Sequence, residues 1–487
     1  MTVATRYETI IGIECHVELD TRSKMFCGCS AKWFGAPPNT LTCEVCLGLP
    51  GALPYPNRRA IELSIAAGIA LHCETPEHTK FDRKNYMYPD LPKGYQISQF
   101  DLPLSVNGWL EIPADDGSTK RVGIRRAHLE EDTGSLLHAG GATLIDFNRS
   151  GVPLLEIVSE PDLRSVGESL AYLEALRERL VYAGVAGFKL EEGGARFDVN
   201  VSIRFAEPDG ETHWPPQSEI KNLNSFRALE AAVPYESARL WDEWQSGGEL
   251  RTRSGKITVG WSPESRRTYL QRTKEEVDDY RYFPEPDLVA LAPDRAVVER
   301  IRAALPEMPS ERRARFVSQY GLSEYDARVL VSDRALADWF ESAAKTAPAQ
   351  AKRVANWVTV ELLGHLRASG QPLAGLKPTP AQLGALVGLI EAGTVSTTAA
   401  KTVFAGMLET GRDPAQIVAD KGLSQMSDET VIAAAVDAAI AANPKAVADI
   451  RAGNQRAVGF LAGAVMKDTK GKANMAVVQR LITERLT

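Results

Sequence analysis

The sequence predicts an α+β N-terminal domain built on antiparallel sheet, followed by an all-α helical domain and a helical tail. Three observations carry that expectation. Residues 1 to about 290 hold short alternating runs among Gly, Pro and aromatics, such as "RFDVNVSIRF" and "SVNGWLEIP". The stretch "YFPEPDLVALAPD", with Pro284, Pro286 and Pro293, breaks regular structure. Beyond it the chain becomes Ala- and Leu-rich with helical spacing throughout. The expected divisions are 1–293, 294–412 and 413–487.

Each element has its own warrant. "IGIECHVEL" alternates, with Ile11, Ile13, Cys15, Val17 and Leu19 on one face and Glu14, His16, Glu18 and Asp20 on the other. Asn107-Gly108 between apolar runs predicts a hairpin turn. Leu170, Leu173, Leu176 and Leu180 share a face of one helix over Val166–Tyr182. In the helical half, Ser427 before Asp428 and Glu429 reads as an N-cap with acids in the first turn. Pro444 suits the first position of a helix, and a boundary between two helical bundles is expected near 410–420.

The 487 residues are 44% hydrophobic and 24% charged, ordinary for a soluble globular protein of about two to four domains. No apolar run approaches the ~18 residues of a membrane helix, so no membrane partner is expected. "MTVATRYETI" lacks the charged start and apolar stretch of a secretory signal, which predicts a cytoplasmic protein. The net charge of −7 gives no hint of a nucleic-acid partner. Residues 451–487 differ: seven Lys/Arg (Arg451, Arg456, Lys467, Lys470, Lys472, Arg480, Arg485) stand against Asp468 and Glu484. That surplus attracts phosphates if the residues share a face; a solvated helical surface is the alternative.

Six cysteines in a cytosolic chain point to thiols or a metal rather than a disulfide framework. Cys27 and Cys29 form one close pair and Cys43 and Cys46 another, matching the tetrahedral preference of structural Zn²⁺. Four buried free thiols are the alternative. Cys15 and Cys73 have no such neighbours and read as core residues.

Several predicted strands offer an acid on a polar face. Glu14 flanks His16; "HLEEDTG" brings Glu130 and Asp132; Asp198 alternates within "ARFDVNVSIRF". Glu156 sits inside the apolar run "PLLEIVS", where a charge is costly unless paired or metal-bound. If these faces converge, they form an oxygen-rich site with a single imidazole, His16, suited to Mg²⁺ or Mn²⁺ and to phosphates. Surface acids on the wet face of a sheet are the competing reading for any one of them. "SGKIT" and "KGKAN" lack the spacing of a phosphate-binding glycine loop, so any ATP must be held by metal and side chains.

Long ordered segments then resemble one family over essentially the whole chain. "IGIECHVEL", "KNYMYPDLPKGYQISQ", "HLEEDTG", "DFNRSGVPLLEIVSEPD", "EIKNLNSFRALEAA", "DYRYFPEPDL" and "LPEMPSERRARFVSQYGLSEYDARVL" are similar to the B subunit of the tRNA-dependent amidotransferase GatCAB. "GNQRAVGFLAGAVMKDTKGKANMAVVQRLI" resembles that family's YqeY-like tail. The resemblance implies a ligase subunit that phosphorylates the side-chain carboxylate of Glu-tRNA(Gln) or Asp-tRNA(Asn) with ATP. Ammonia released from glutamine by the A subunit then gives the amide, within a heterotrimer with A (amidase) and small C subunits. It further implies Glu14, His16, Glu130 and Glu156 as catalytic Mg²⁺ ligands, with Asp198 a further one, and the four cysteines as the zinc knuckle. The basic tail, through Arg456, Lys467, Lys470, Lys472 and Arg480, would meet the tRNA body.

Two departures stand out. Where relatives often carry "EEDAGK" this chain has Thr133-Gly134-Ser135 after the acids, and Phe197 replaces a cysteine of "SLRCD". Both leave the ligands in place.

Further candidates are Tyr86, Tyr88 and Tyr95, able to stack on a terminal adenosine or on ATP, or simply to pack. Lys84 and Arg149 are candidate phosphate contacts, with solvated surface charge as the default, and Tyr280, Arg281 and Tyr282 are candidates to close the site. The rival enzyme is a metal-dependent phosphatase or nuclease using the same acids; the rival of another class is a non-catalytic RNA-binding scaffold. A Gly-Gly-Ser-Ser-Gly amidase segment is missing, so the chain is not expected to release its own ammonia.

Overall fold

The computed structural model describes residues 7–207, 210–223, 225–247, 256–272, 280–425, 429–451, 456–469 and 472–486; the side chains of Asn222, Arg272 and Arg456 lie outside that set. Two compact units divide the chain, Met1–Met308 and Pro309–Thr487.

The first unit carries the strands β1 (Glu8–Glu18), β2 (Asp82–Asn85), β3 (Tyr95–Ser98), β4 (Ser105–Pro113), β5 (Thr119–Glu131), β6 (Ser135–Ala139) and β7 (Ala142–Asp146). These are followed by β8 (Pro153–Ser159), β9 (Ala195–Ala206), β10 (Thr212–His213), β11 (Ser218–Leu223), β12 (Ile257–Ser262), β13 (Arg267–Arg272) and β14 (Phe283–Pro284). Among the described residues the main sheet runs β13-β12-β11-β9-β1-β8-β5-β4, with β10 beside β9. All its pairings are antiparallel except β11 with β12. The smaller sheets are β14-β2-β3 and β6-β7.

Alternation gives the main sheet an apolar and a polar face. Ile11, Ile13, Cys15 and Val17 of β1 are buried together with Leu155 and Ile157 of β8 and Val199 and Val201 of β9. The helices α1 (Arg58–Ala70), α2 (Val166–Tyr182) and α3 (Phe226–Gln245) cover this face, and Leu63, Leu173, Leu176 and Leu229 belong to the same core. Fully burying such side chains contributes about 1.5–3 kcal/mol each before entropy is counted. Asn57, Ser165 and Ser225 cap the three helices through side-chain oxygens, which fixes where each begins. α2 has the bounds its leucine spacing predicts. Polar residues of β1, β5, β8 and β9 are left on the opposite face.

Two expectations change. Asn107-Gly108 is not a hairpin turn but lies inside β4; the β4–β5 turn falls after Pro113, at Ala114–Ser118. Asn107 takes φ +55° within the strand, and a Cβ on Gly108 would meet Cys73 Sγ and Leu71 O at 2.3 and 2.7 Å. That glycine serves a close approach rather than a turn. Nor does the proline-rich stretch end the first unit. Beyond it α4 (Arg295–Ala304) lays Val298 and Ile301 on the same core, and the unit continues to Met308.

The second unit is helical. Its helices are α5 (Pro309–Tyr320), α6 (Glu324–Val331), α7 (Arg334–Thr346), α8 (Ala351–Asn356), α9 (Leu363–Ser369), α10 (Pro380–Glu391), α11 (Thr397–Thr410) and α12 (Pro414–Asp420). Then come α13 (Glu429–Ala442), α14 (Pro444–Arg451), α15 (Arg456–Asp468) and α16 (Met475–Leu486). The last four share a core of their own, including Ile432, Val436, Leu461, Val465, Val478 and Ile482. α14 starts at Pro444 as its sequence suggests; Ser427 lies outside the described residues. No single helix among the described residues is long and apolar enough to cross a membrane.

Candidate active site and metal centres

Strand register assembles the polar face. Glu156 of β8 lies opposite His16 on β1 and opposite His128 on β5, while His16 lies opposite Arg196 on β9. One row of side chains therefore reads His128, Glu156, His16, Arg196 across four strands. Glu156 Oε2 is 3.3 Å from His16 Nε2 and 3.4 Å from His128 Nε2, and Glu130 Oε1 is 3.7 Å from His16 Nε2. His16, Glu130 and Glu156 each offer a ligand atom, all within 4.8 Å of one another.

The electrostatics follow from burial. Glu130 and Glu156 are buried, Glu156 between Leu155 and Ile157. Burial alone would neutralise Glu156, but His128 and His16 hold its carboxyl well below the usual range. Burial is the largest single influence on His16 and works against its charge, but the hydrogen bond and charge of Glu156 together with the charge of Glu130 raise the imidazole on balance. His16 Nδ1 and His128 Nδ1 are buried without partners. A divalent cation fits this donor set: two carboxylates and one imidazole, desolvated and convergent.

Glu14 and Asp198 stand opposite each other on the same face, outside that cluster of three. Asn200 Nδ2 donates to Glu14 at 2.8 Å, Lys256 lies 3.6 Å from Glu14 and 3.0 Å from Glu219, and Lys221 lies 3.6 Å from Asp198. Burial, with Glu219 and Glu14 nearby, raises Asp198 against the pull of Lys221 and His16. An open groove of about 320 Å³ continues the face past Glu14, lined among others by Ser159, Asn200, Trp214 and Gln217.

The β14-β2-β3 sheet brings further candidates close. The Lys84 ammonium lies over the rings of Tyr280 (5.0 Å) and Tyr86 (5.8 Å). Burial opposes its charge, yet Tyr282, Glu130 and Glu156 push it above the ordinary lysine value. Tyr282 stacks on Phe100 at 4.3 Å. Arg83, on the other side of β2 from Lys84, forms a two-pronged pair with buried Glu285 at 2.7 and 2.9 Å and stacks over Tyr95 at 4.2 Å. Asn85 Nδ2 donates to the Arg281 carbonyl at 2.8 Å, while the Arg281 side chain is exposed. Tyr86 donates to Gln96 at 3.2 Å and Tyr88 is exposed. Arg149 is committed to the loop instead of standing free for phosphate: it donates to the carbonyls of Thr133 (3.0 Å) and Gly134 (2.8 Å). Phe197 is core, stacked on Phe226.

Cys27, Cys29, Cys43 and Cys46 present their sulfurs within 4.8 Å of one another, with Cys43 and Cys46 3.9 Å apart. A tetrahedron with ~2.3 Å Zn–S bonds has edges of about 3.8 Å, so the set fits zinc. The Cys27 thiol and the Lys24 ammonium, 3.6 Å away, bring Cys46 down to about 4 against its burial. Lys24 is fully buried and also donates to Leu41 O and Phe147 O. Cys15 and Cys73 are buried core residues.

In the tail, Arg480 is paired with Glu429 (2.6 Å) and Glu484 (2.9 Å), and Arg485 with Asp437. Lys467 and Lys472 are exposed; Lys470 and the Arg456 side chain lie outside the described residues. The surplus of charge is thus partly neutralised within the fold.

The sequence reading expected a single imidazole; the structure brings two to Glu156. His128 stands two residues before Glu130 on the same strand face, a signal that period-2 alternation already offered. Arg196, two residues before Asp198, carried the same signal. Glu219 and Lys221 alternate in the same way, but only the pairing of β11 with β9 shows that they join this face; Lys256, just before β12, carried no such signal.

The profile of the GatB/GatE catalytic domain matches residues 9–299, and that of the GatB domain matches residues 338–486. A protein of Brevibacillus brevis, named as the B subunit of an aspartyl/glutamyl-tRNA(Asn/Gln) amidotransferase, is 50% identical over 484 residues, 99% of each chain. Proteins of the same name from Carboxydothermus hydrogenoformans and Thermomicrobium roseum are 49% and 50% identical, again over 99% of both chains.

Proposed function

Because this chain belongs to the GatB family, the B subunits of the tRNA-dependent amidotransferases, we propose that it activates the side-chain carboxylate of Glu-tRNA(Gln) or Asp-tRNA(Asn). In this reading a carboxylate oxygen of the aminoacyl group attacks the γ-phosphorus of ATP and ADP leaves. Ammonia then adds to the acyl phosphate carbonyl, inorganic phosphate departs, and the nitrogen gives up a proton to leave the amide. Oxide is too poor a leaving group for direct amidation, which is why phosphorylation comes first. The observation that carries the reading is the convergence of His16, Glu130 and Glu156 within 4.8 Å on the polar face of the sheet.

These three residues would hold Mg²⁺, which screens the charge on the phosphoryl oxygens. Lys84, facing Glu130 and Glu156, adds a fixed positive charge at the same place. Glu14 and Asp198 act from the neighbouring row, where Asn200, Lys221 and Lys256 set their orientation beside the open groove. Tyr86 and Tyr280 pack against Lys84 and shield it in part from water. The four cysteines would hold Zn²⁺ as a structural knuckle. The tail meets the tRNA body, with Lys467 and Lys472 exposed among the described residues and Arg480 engaged only if Glu429 and Glu484 yield it. An amidase A subunit supplies ammonia and a small C subunit completes a cytoplasmic heterotrimer.

The test is Glu156→Gln in the assembled enzyme. Amide formation on Glu-tRNA(Gln) is expected to fall about 10²–10³-fold while glutaminase continues. Unchanged amide formation would overturn the reading in favour of a scaffold, and ATP-independent cleavage of RNA or phosphoesters would favour a hydrolase.

A further inference from the structure

Glu156 is approached from both neighbouring strands at the same oxygen. His16 Nε2 and His128 Nε2 lie 3.3 and 3.4 Å from Oε2, and the function proposed above gives His128 no task. His128 is 3% exposed and its Nδ1 is buried without a partner. A buried N–H left unmet is the rarer and costlier fault, so the proton belongs on Nε2, where Glu156 accepts it.

His16 cannot do the same work throughout. Its Nε2 is also the atom nearest Glu130, at 3.7 Å, and a cation ligand needs that nitrogen's lone pair rather than its proton. Once His16 serves as a ligand, Glu156 Oε2 loses one of its two donors. His128, on the far side of β8 from His16, remains.

We infer that His128 is a positioning residue of the carboxylate-activating site: it donates Nε2–H to Glu156 and keeps that carboxylate oriented for the cation when His16 turns to it. The inference rests on the proposed function. Partners of this kind, one step removed from the ion, orient its ligands and typically account for 10–100-fold in affinity or rate.

The experiment uses the full chain in its amidotransferase complex, with Mn²⁺ as the probe, read by electron paramagnetic resonance. His128→Leu is expected to weaken Mn²⁺ binding about 10–100-fold and lower kcat for amide formation comparably, with KM for Glu-tRNA(Gln) within about threefold. His128→Gln, whose amide nitrogen matches Nε2, is expected to recover most of both, and His128→Asn, which falls short, to recover little. Wild-type Mn²⁺ binding and kcat in the folded Leu variant would overturn the inference, as would equal losses in the Gln and Asn variants. Glu156→Gln separates the two levels: if it binds Mn²⁺ and forms amide as wild type does, the function itself fails. If it loses both while His128→Leu loses neither, only the role of His128 falls.

Discussion

The cysteine knuckle and the carboxylate–imidazole site both gather metal-binding side chains within 4.8 Å, yet they are built in opposite ways. The knuckle takes its four sulfurs from two short segments, Cys27–Cys29 and Cys43–Cys46, with thirteen residues between them. The other site takes His16, Glu130 and Glu156 from β1, β5 and β8, separated by more than a hundred residues in part, and aligns them by strand register. Closing a short loop costs little entropy, so local ligands can form a site almost independently of the fold. The strand-borne site exists only where the whole sheet does.

Predictions that press on this contrast run from large to small. Glu156→Gln, as above, is expected to remove function with little loss of fold, because the neutral amide can still accept from the two imidazoles. Cys46→Ser should do the reverse. If the knuckle holds zinc as proposed, the variant is expected to lose that zinc and lower the melting temperature by roughly 5–10 °C, with a smaller fall in amide formation, checked by metal analysis and calorimetry. A Cys46→Ser enzyme as inactive as Glu156→Gln would erase the distinction.

Arg83 and Glu285 extend the test to a site held by distant charges. Removing one partner of a buried pair leaves the other uncompensated, so Arg83→Met is expected to lose about 3 kcal/mol. The double variant Arg83→Met/Glu285→Met should recover more than half of that, measured by denaturant unfolding. A double variant as unstable as the single one would assign the cost to packing on Tyr95 instead.

The smallest effect is acid stability. Burial would raise the Asp132 carboxyl, but Arg149 and Arg196 hold it at about 2, below its ordinary 3.8. A depressed folded value means the stabilisation is complete above pH 3.8 and is lost as pH falls toward about 2. Asp132→Asn should be less stable at neutral pH and show a shallower loss across that window. Parallel unfolding curves for the two proteins below pH 4 would refute the assignment.

How much was legible follows the same division. The alternation in "IGIECHVEL" placed Glu14 and His16 on one face, and α2 could be bounded from its leucines, with the Ser165 cap seen only in the structure. Asn107-Gly108 misled because the local preference for a turn was overridden by a close approach to Cys73 and Leu71, which no neighbouring residue announces. His128 was within reach of sequence reasoning, two positions from Glu130, but a histidine on a strand means little until its cross-strand partner is known.

What this chain's sequence determined by itself was periodicity and proximity: which side chains share a strand face, where helices start, and that four cysteines fall into two pairs. Only the tertiary structure decided which acids meet. A one-residue shift in the pairing of β8 would turn Glu156 to the apolar face and leave His16 and His128 without their shared partner. Register is a property of strands far apart in the chain, set by the packing of a whole face, and no single segment contains it.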